Sequence, residues 1–198
     1  GFSRAGGAGV LPISVSGDGV ITMTQMAPEF GPTFDPARIA AIYGLEADDI
    51  AGTPQVVSTG TPYCITVLRS KDALRRAAPD VAQLDRFRRD SGLAQAGLME
   101  SFWVTVGRET AEGDTFSRLF VAPPSLPEDP FTGSATGCMA AYLWANGLIE
   151  APHFVAEQGH WMDRPGRASV EVLGPRDAIS GVRVGGRGYV LMSGELLL

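Results

Sequence analysis

Apolar residues recur at two spacings along the chain, and the changes of spacing mark out its elements. Val10, Ile13 and Val15, then Val20, Ile21 and Met23, flank Gly17-Asp18-Gly19 and predict a hairpin from Gly9 to Met26. Ala27–Asp35 is rich in Pro and Gly and reads as a linker, the best candidate for a boundary between lobes. Asp35 then precedes Pro36, and Ile39, Ile42 and Leu45 recur at helical spacing around Gly44, which predicts a short helix capped by Asp35. Gln55–Ser58 and Tyr63–Leu68 are β-rich runs on either side of a Thr59-Gly60-Thr61-Pro62 corner. Ser70–Arg89 is helical through Leu74, Val81, Leu84 and Phe87, with a break near Pro79.

Phe102–Val106 and Phe116–Ala122 predict a further strand pair around a polar loop. Ala135–Asn146 is apolar at nearly every position and ends at Gly147, the pattern of a helix buried on all sides. Strands follow at Phe154–Gln158, Ala168–Leu173, Val182–Val184 and Tyr189–Met192, and Glu195–Leu198 closes the chain. Strands and helices are mixed without strict alternation, which excludes a doubly wound sheet. The fold predicted is α+β: a curved, mostly antiparallel sheet wrapped around a central helix.

Composition narrows the function more than the fold. At 198 residues with 44% hydrophobic content the chain can bury a full core, and disorder is excluded. The net charge of −6 argues against nucleic acid. The basic stretch from Arg69 to Arg89 is interrupted by Asp72, Asp80 and Asp85 and reads as a solvated helix face. No apolar run reaches the roughly 18 residues of a membrane helix. The sequence starts at Gly1 with no signal-peptide pattern, so the natural start is expected upstream. Cys64 and Cys138 are expected as free buried thiols in the cytoplasm. His153 and His160 have no partner at metal-ligand spacing, so no metal site is expected.

The stretch with chemical character is Glu128–Gly137, EDPFTGSATG, immediately before the buried helix. A helix N-terminus presents unpaired N–H groups and partial positive charge, suited to a carboxylate or oxyanion. Glu128 and Asp129 stand ready as acid or base. Asp129, Thr132 and Ser134 are equally ordinary turn and capping residues. Ser134 lacks the Gly two positions earlier that a nucleophile elbow requires, and no phosphate loop or dinucleotide fingerprint occurs.

EDPFTGSATGCMAAYLWANG, Glu128–Gly147, resembles the signature of the phenazine-biosynthesis (PhzF-like) isomerases, relatives of diaminopimelate epimerase. MAPEFGP at Met26–Pro32, VVSTGTPYCITVL at Val56–Leu68, AEQGHWMDRPGRASVEV at Ala156–Val172 and VLMSGELLL at Val190–Leu198 extend the resemblance over most of the chain. It implies a diaminopimelate epimerase-like lobe around a central buried helix (136–146), with the active site in a cleft between two such lobes. It also implies cofactor-independent proton transfer at carbon in a small carboxylated metabolite. Asp129 would be the catalytic acid, and Thr132, Gly133, Ser134 and Ala135 would bind substrate. The family's Glu base and G-H-P motif, both from the first lobe, have no counterpart here, and Gly166 stands where Ser is frequent.

The resemblance therefore divides the chain into exit strands of an otherwise missing first lobe (1–26), a second lobe (27–185) and C-terminal strands returning to the first lobe (186–198). A separate chain or a longer precursor is expected to supply that lobe, and a homodimer is expected. The rival reading is a non-catalytic small-carboxylate-binding lobe or truncated remnant.

Overall fold

A computed structural model describes residues 2–6, 9–91, 100–121, 128–188 and 192–194. It shows a mixed sheet with few helices. The strands are β1 (Phe2–Gly6), β2 (Gly9–Val15), β3 (Val20–Gln25), β4 (Glu29–Thr33), β5 (Gln55–Ser58), β6 (Pro62–Leu68), β7 (Ser101–Val106), β8 (Thr115–Phe120), β9 (Glu128–Asp129), β10 (His153–Gln158), β11 (Gly166–Leu173) and β12 (Gly181–Arg187). The α-helices are α1 (Pro36–Ile42), α2 (Lys71–Arg76), α3 (Val81–Asp90) and α4 (Gly133–Ala145). The order across the sheet is β1-β2-β3-β12-β11-β10-β8-β7-β6-β5-β4, with the short β9 beside β8. Neighbours are antiparallel except for the parallel pairs β6–β7 and β8–β10.

Most elements form where the residue pattern predicts them. The Gly17-Asp18-Gly19 hairpin joins β2 to β3, with Ile13 opposite Met23. Asp35 caps α1 by accepting a hydrogen bond from Ala37 N at 3.0 Å, and Pro36 holds the first helical position, where no N–H is needed. The Ser70–Arg89 helix breaks at Pro79 into α2 and α3, the second capped by Asp80. Val81, expected in the apolar stripe of α3, instead stands exposed at its first position, ahead of the buried Leu84 and Phe87.

Two boundaries differ. The Ala27–Asp35 linker contains β4, an exposed edge strand paired to β5 through an irregular register. Pro32, which has no N–H to donate, is tolerated there because an edge strand leaves one side unpaired. The buried helix begins at Gly133, ahead of the expected 135 or 136, because Thr132 occupies the capping position. The strand expected at Tyr189–Met192 lies, Met192 apart, outside the described residues, as does Glu195–Leu198.

The two faces of the sheet carry separate cores. On one, α4 packs against β5, β6, β7, β11 and β12, and Ala135–Leu143 is buried on every side. On the other, α1, α2 and α3 cover Cys64, Leu68, Trp103 and Phe116. Strand alternation sorts the residues: Phe102 and Val104 face α4, whereas Trp103 faces Tyr43 at a ring separation of 4.4 Å.

Candidate active site

β9 delivers the two carboxylates to the sheet, placing Asp129 opposite Leu119 and Glu128 opposite Phe120 on β8. Their fates differ. Arg118 grips Glu128 with two charge-assisted bonds, Nε to Oε1 at 3.0 Å and Nη2 to Oε2 at 2.8 Å. The same guanidinium donates to the carbonyls of Leu74 and Ala77 at the end of α2. Glu128 therefore serves as a strut between β9 and α2.

Asp129 remains turned toward the helix. Its Oδ2 accepts a 2.5 Å hydrogen bond from Thr132 Oγ1. Gln158, buried at the end of β10, holds the turn between them: Oε1 accepts from Thr132 N at 3.1 Å, and Nε2 donates to Asp129 O at 2.8 Å. Gly159 follows at φ +82°, and a Cβ there would lie 2.4 Å from Pro130 O. Only glycine lets the two segments approach so closely.

A second polar clamp fixes the first turn of α4. Gln25 Nε2 donates to Gly133 O at 2.8 Å, while Gln25 Oε1 accepts from Thr59 Oγ1 at 2.5 Å. A Cβ on Gly137 would overlap the Gln25 amide, so this glycine makes room for the clamp. Ser134 Oγ lies 2.8 Å from the Tyr63 hydroxyl. No side chain caps the helix, and the N–H groups of Gly133, Ser134 and Ala135 have no intrahelical partner. Thr132 spends its own N–H on Gln158 and its hydroxyl on Asp129, so it frames the turn.

Asp129 and Thr132 open onto a cleft of about 340 Å³ lined also by Tyr63, Glu100, Leu119, Val121 and Glu128. A larger hollow of about 780 Å³ lies on the other side of Gly133, between Phe131, Met23, Gly166 and Val184. The larger hollow has no carboxylate in its lining, whereas Glu100, Glu128 and Asp129 line the smaller cleft. Burial pushes the Glu100 carboxyl up, and the Asp129 charge adds to the effect. Burial likewise raises the Tyr63 phenol, against the bond to Ser134. Among the described residues no group of three His, Cys, Asp or Glu side chains is placed to hold a metal ion.

Asp129, Thr132, Gly133, Ser134 and Ala135 are thus all brought to one turn. Gln158, Gln25 and Glu100 had no functional signal in the sequence, since each comes from a distant strand or strand end, and Tyr63, which the sequence allows equally as a pocket wall or a core residue, reaches Ser134 from β6. Trp161 packs elsewhere, 4.6 Å from the Phe116 ring and beneath Arg75. Cys138 is buried against Thr59 and Thr61, and burial raises its thiol, which makes it a packing group.

A family described as phenazine biosynthesis-like protein (PhzC-PhzF) matches residues 4–194. The chain is 33% identical over 172 residues to the uncharacterized isomerase YfhB of Bacillus subtilis, covering 83% of this chain and 57% of that one. Among solved structures, a PhzF-family phenazine biosynthesis protein from Bacillus anthracis matches with a TM-score of 0.72 at 25% identity, over 91% of this chain and 62% of that chain. A predicted epimerase from Pseudomonas aeruginosa gives 0.68 at 32% identity, over 93% and 63%. The chain spans less than two thirds of the length of each of these three proteins.

Proposed function

This chain belongs to the phenazine biosynthesis-like protein family, and on that premise we propose that it is part of a cofactor-independent isomerase or epimerase. The enzyme would move a proton at carbon in a small carboxylated substrate. The names isomerase and epimerase carried by its relatives support the reaction class. One observation carries the reading: Asp129 is fixed beside the uncapped N-terminus of α4, at the mouth of an open cleft.

In this reading the substrate carboxylate accepts hydrogen bonds from the N–H groups of Gly133, Ser134 and Ala135 and from Ser134 Oγ. Helix polarity favours that charge without a counter-ion. Asp129 then works as the acid, with Thr132 holding its carboxyl in place. The opposing base comes from a first lobe that closes the cleft and excludes water. Residues 1–26 would be exit strands of that lobe, 27–185 the second lobe and 186–198 strands returning to the first. The contacts of α4 with strands from both halves of the sheet support a sheet curving around that helix. Two buried free thiols suit a cytoplasmic enzyme.

The test is solvent-deuterium incorporation at carbon in a panel of small carboxylates, using the assembly that contains a first lobe. Asp129→Asn is expected to lower incorporation by about 10²-fold or more. Unchanged incorporation would remove Asp129 from the mechanism.

A further inference from the structure

We propose that Glu100 is the proton partner of Asp129, the second carboxyl of the cleft, which resupplies the proton that Asp129 delivers. The inference rests on the isomerase reading and extends it to a residue outside the EDPFTGS segment.

The sheet register places Glu100. β6 and β7 are parallel with Cys64 opposite Ser101, and Cys64 N donates to Glu100 O at 3.0 Å. Glu100 therefore stands beside Tyr63, one step ahead of that pair. β7 and β8 pair with Phe102 opposite Leu119, and β8 and β9 pair with Leu119 opposite Asp129. Side chains alternate across a strand, so Glu100 shares the face of Phe102, which packs toward α4. Tyr63 and Glu100 stand in one row and Phe102, Leu119 and Asp129 in the row two residues along on the same face, and Tyr63, Glu100, Leu119 and Asp129 all line the one cleft. β7 and β9 are separated by two strand spacings, about 10 Å.

Charge distinguishes Glu100 from Glu128, the third carboxylate in the lining. Arg118 pairs with Glu128 through two charge-assisted bonds. Glu100 is half-buried and lines the same cleft as Asp129 with no two-point ion pair among the described residues; the Arg88 charge pulls its carboxyl down, but less than burial and Asp129 push it up. A second negative charge in the same cleft makes ionising a half-buried carboxyl costlier. The upward displacement of Glu100 by burial and by Asp129 has this sign.

The transfer balances as follows. Asp129 gives its proton to the substrate carbon, and the electron pair of the substrate's enolate forms the new C–H bond. Glu100 passes its proton through a cleft water to the Asp129 carboxylate. Solvent then re-protonates Glu100.

Two measurements test the pairing. The first needs no substrate: the Glu100 side-chain carboxyl is titrated by carbon-13 NMR in the wild-type protein and in Asp129→Asn. Glu100 is expected to titrate above ordinary glutamates, and to move back toward them in Asp129→Asn. An identical titration in both proteins would overturn the inference. The second is the pH profile of deuterium incorporation in the complete assembly. Glu100→Gln is expected to lower incorporation by about 10-fold to 100-fold and to displace the alkaline limb, with partial rescue by Glu100→Asp. Full activity with an unaltered profile in Glu100→Gln, alongside an inactive Asp129→Asn, would overturn this inference and leave the isomerase reading standing. Full activity in Asp129→Asn would instead remove the acid role on which both depend.

Discussion

Two residues distant in sequence from the start of α4 show how local chemistry supports the site. Glu157 is fully buried one position before Gln158 and accepts hydrogen bonds from Thr110 Oγ1 and from the N–H groups of Glu109 and Thr110. Burial alone would raise its carboxyl, but these bonds, helped by His160, outweigh it and hold the carboxyl below its usual range. A carboxyl lowered by folding stabilises the protein above its unfolded pKa, near 4.3, and loses that contribution as pH falls through the folded value. Glu157→Gln is therefore expected to flatten the acid limb of Tm against pH. At neutral pH it should cost about 1–3 kcal/mol, because its amide cannot accept all three donors. A parallel downward shift at every pH would show that Glu157 acts through packing alone. Gly166 presents the second case. A Cβ there would fall 2.4 Å from the Phe131 ring, so this glycine accommodates the Phe of EDPFTGS. Gly166→Ser is expected to destabilise by about 1–3 kcal/mol. Phe131→Ala in the same protein should recover part of that loss in thermal melts.

At the scale of elements, Arg118 joins two pieces that no local rule connects. It satisfies carbonyls at the end of α2 and fixes β9 through Glu128. Both partners of the ion pair are about 15% exposed, so solvent screening leaves it closer to a buried pair than to a surface one. Arg118→Met is expected to cost about 2–4 kcal/mol in denaturant unfolding, because Glu128 is left without a counter-charge. Adding Glu128→Leu should restore stability without returning the β9 position, which amide exchange at Asp129 would report. If the single and double variants unfold alike, the pair contributes packing only. Gly137 belongs to the same scale. Alanine there gains roughly 1 kcal/mol of helix propensity, yet its methyl group would strike the Gln25 amide. The clamp on the first turn of α4 thus decides that residue against its intrinsic preference.

For the whole molecule, the site is open on the side where the proposal places a first lobe. Native mass spectrometry of the protein from its natural source is expected to find that lobe, as a longer polypeptide or a second chain. A natural protein consisting of these 198 residues alone would leave the acid without its opposing base, and the carboxylate-binding reading would take over. No helix among the described residues is long and apolar enough to cross a membrane. Val15, Ile21 and Met26 are large exposed apolar residues on β2, on β3 and just after it, near one end of the sheet, and Phe30 stands exposed on β4 at the other end.

The residue pattern by itself determined the hairpin, the capped α1, the α2–α3 break and the buried α4. Each rests on chemistry that acts within a few residues: Asp35 ahead of Pro36, the ring of Pro79, an apolar run ending at Gly147. It also located the EDPFTGSATG turn, since glycines and short polar residues ahead of an apolar helix mark an N-terminus locally. The edge strand β4 escaped it, because Pro and Gly weaken the local β signal and pairing with β5 makes up for them. Only the tertiary structure decided which groups converge on that turn. Gln25, Tyr63, Glu100 and Gln158 come from β3, β6, the start of β7 and β10. It likewise assigned Glu128 to Arg118 and left Asp129 facing the cleft. Sequence separation carries no record of such meetings: strand register sets them, and register is an agreement between distant segments about which side chains to bury.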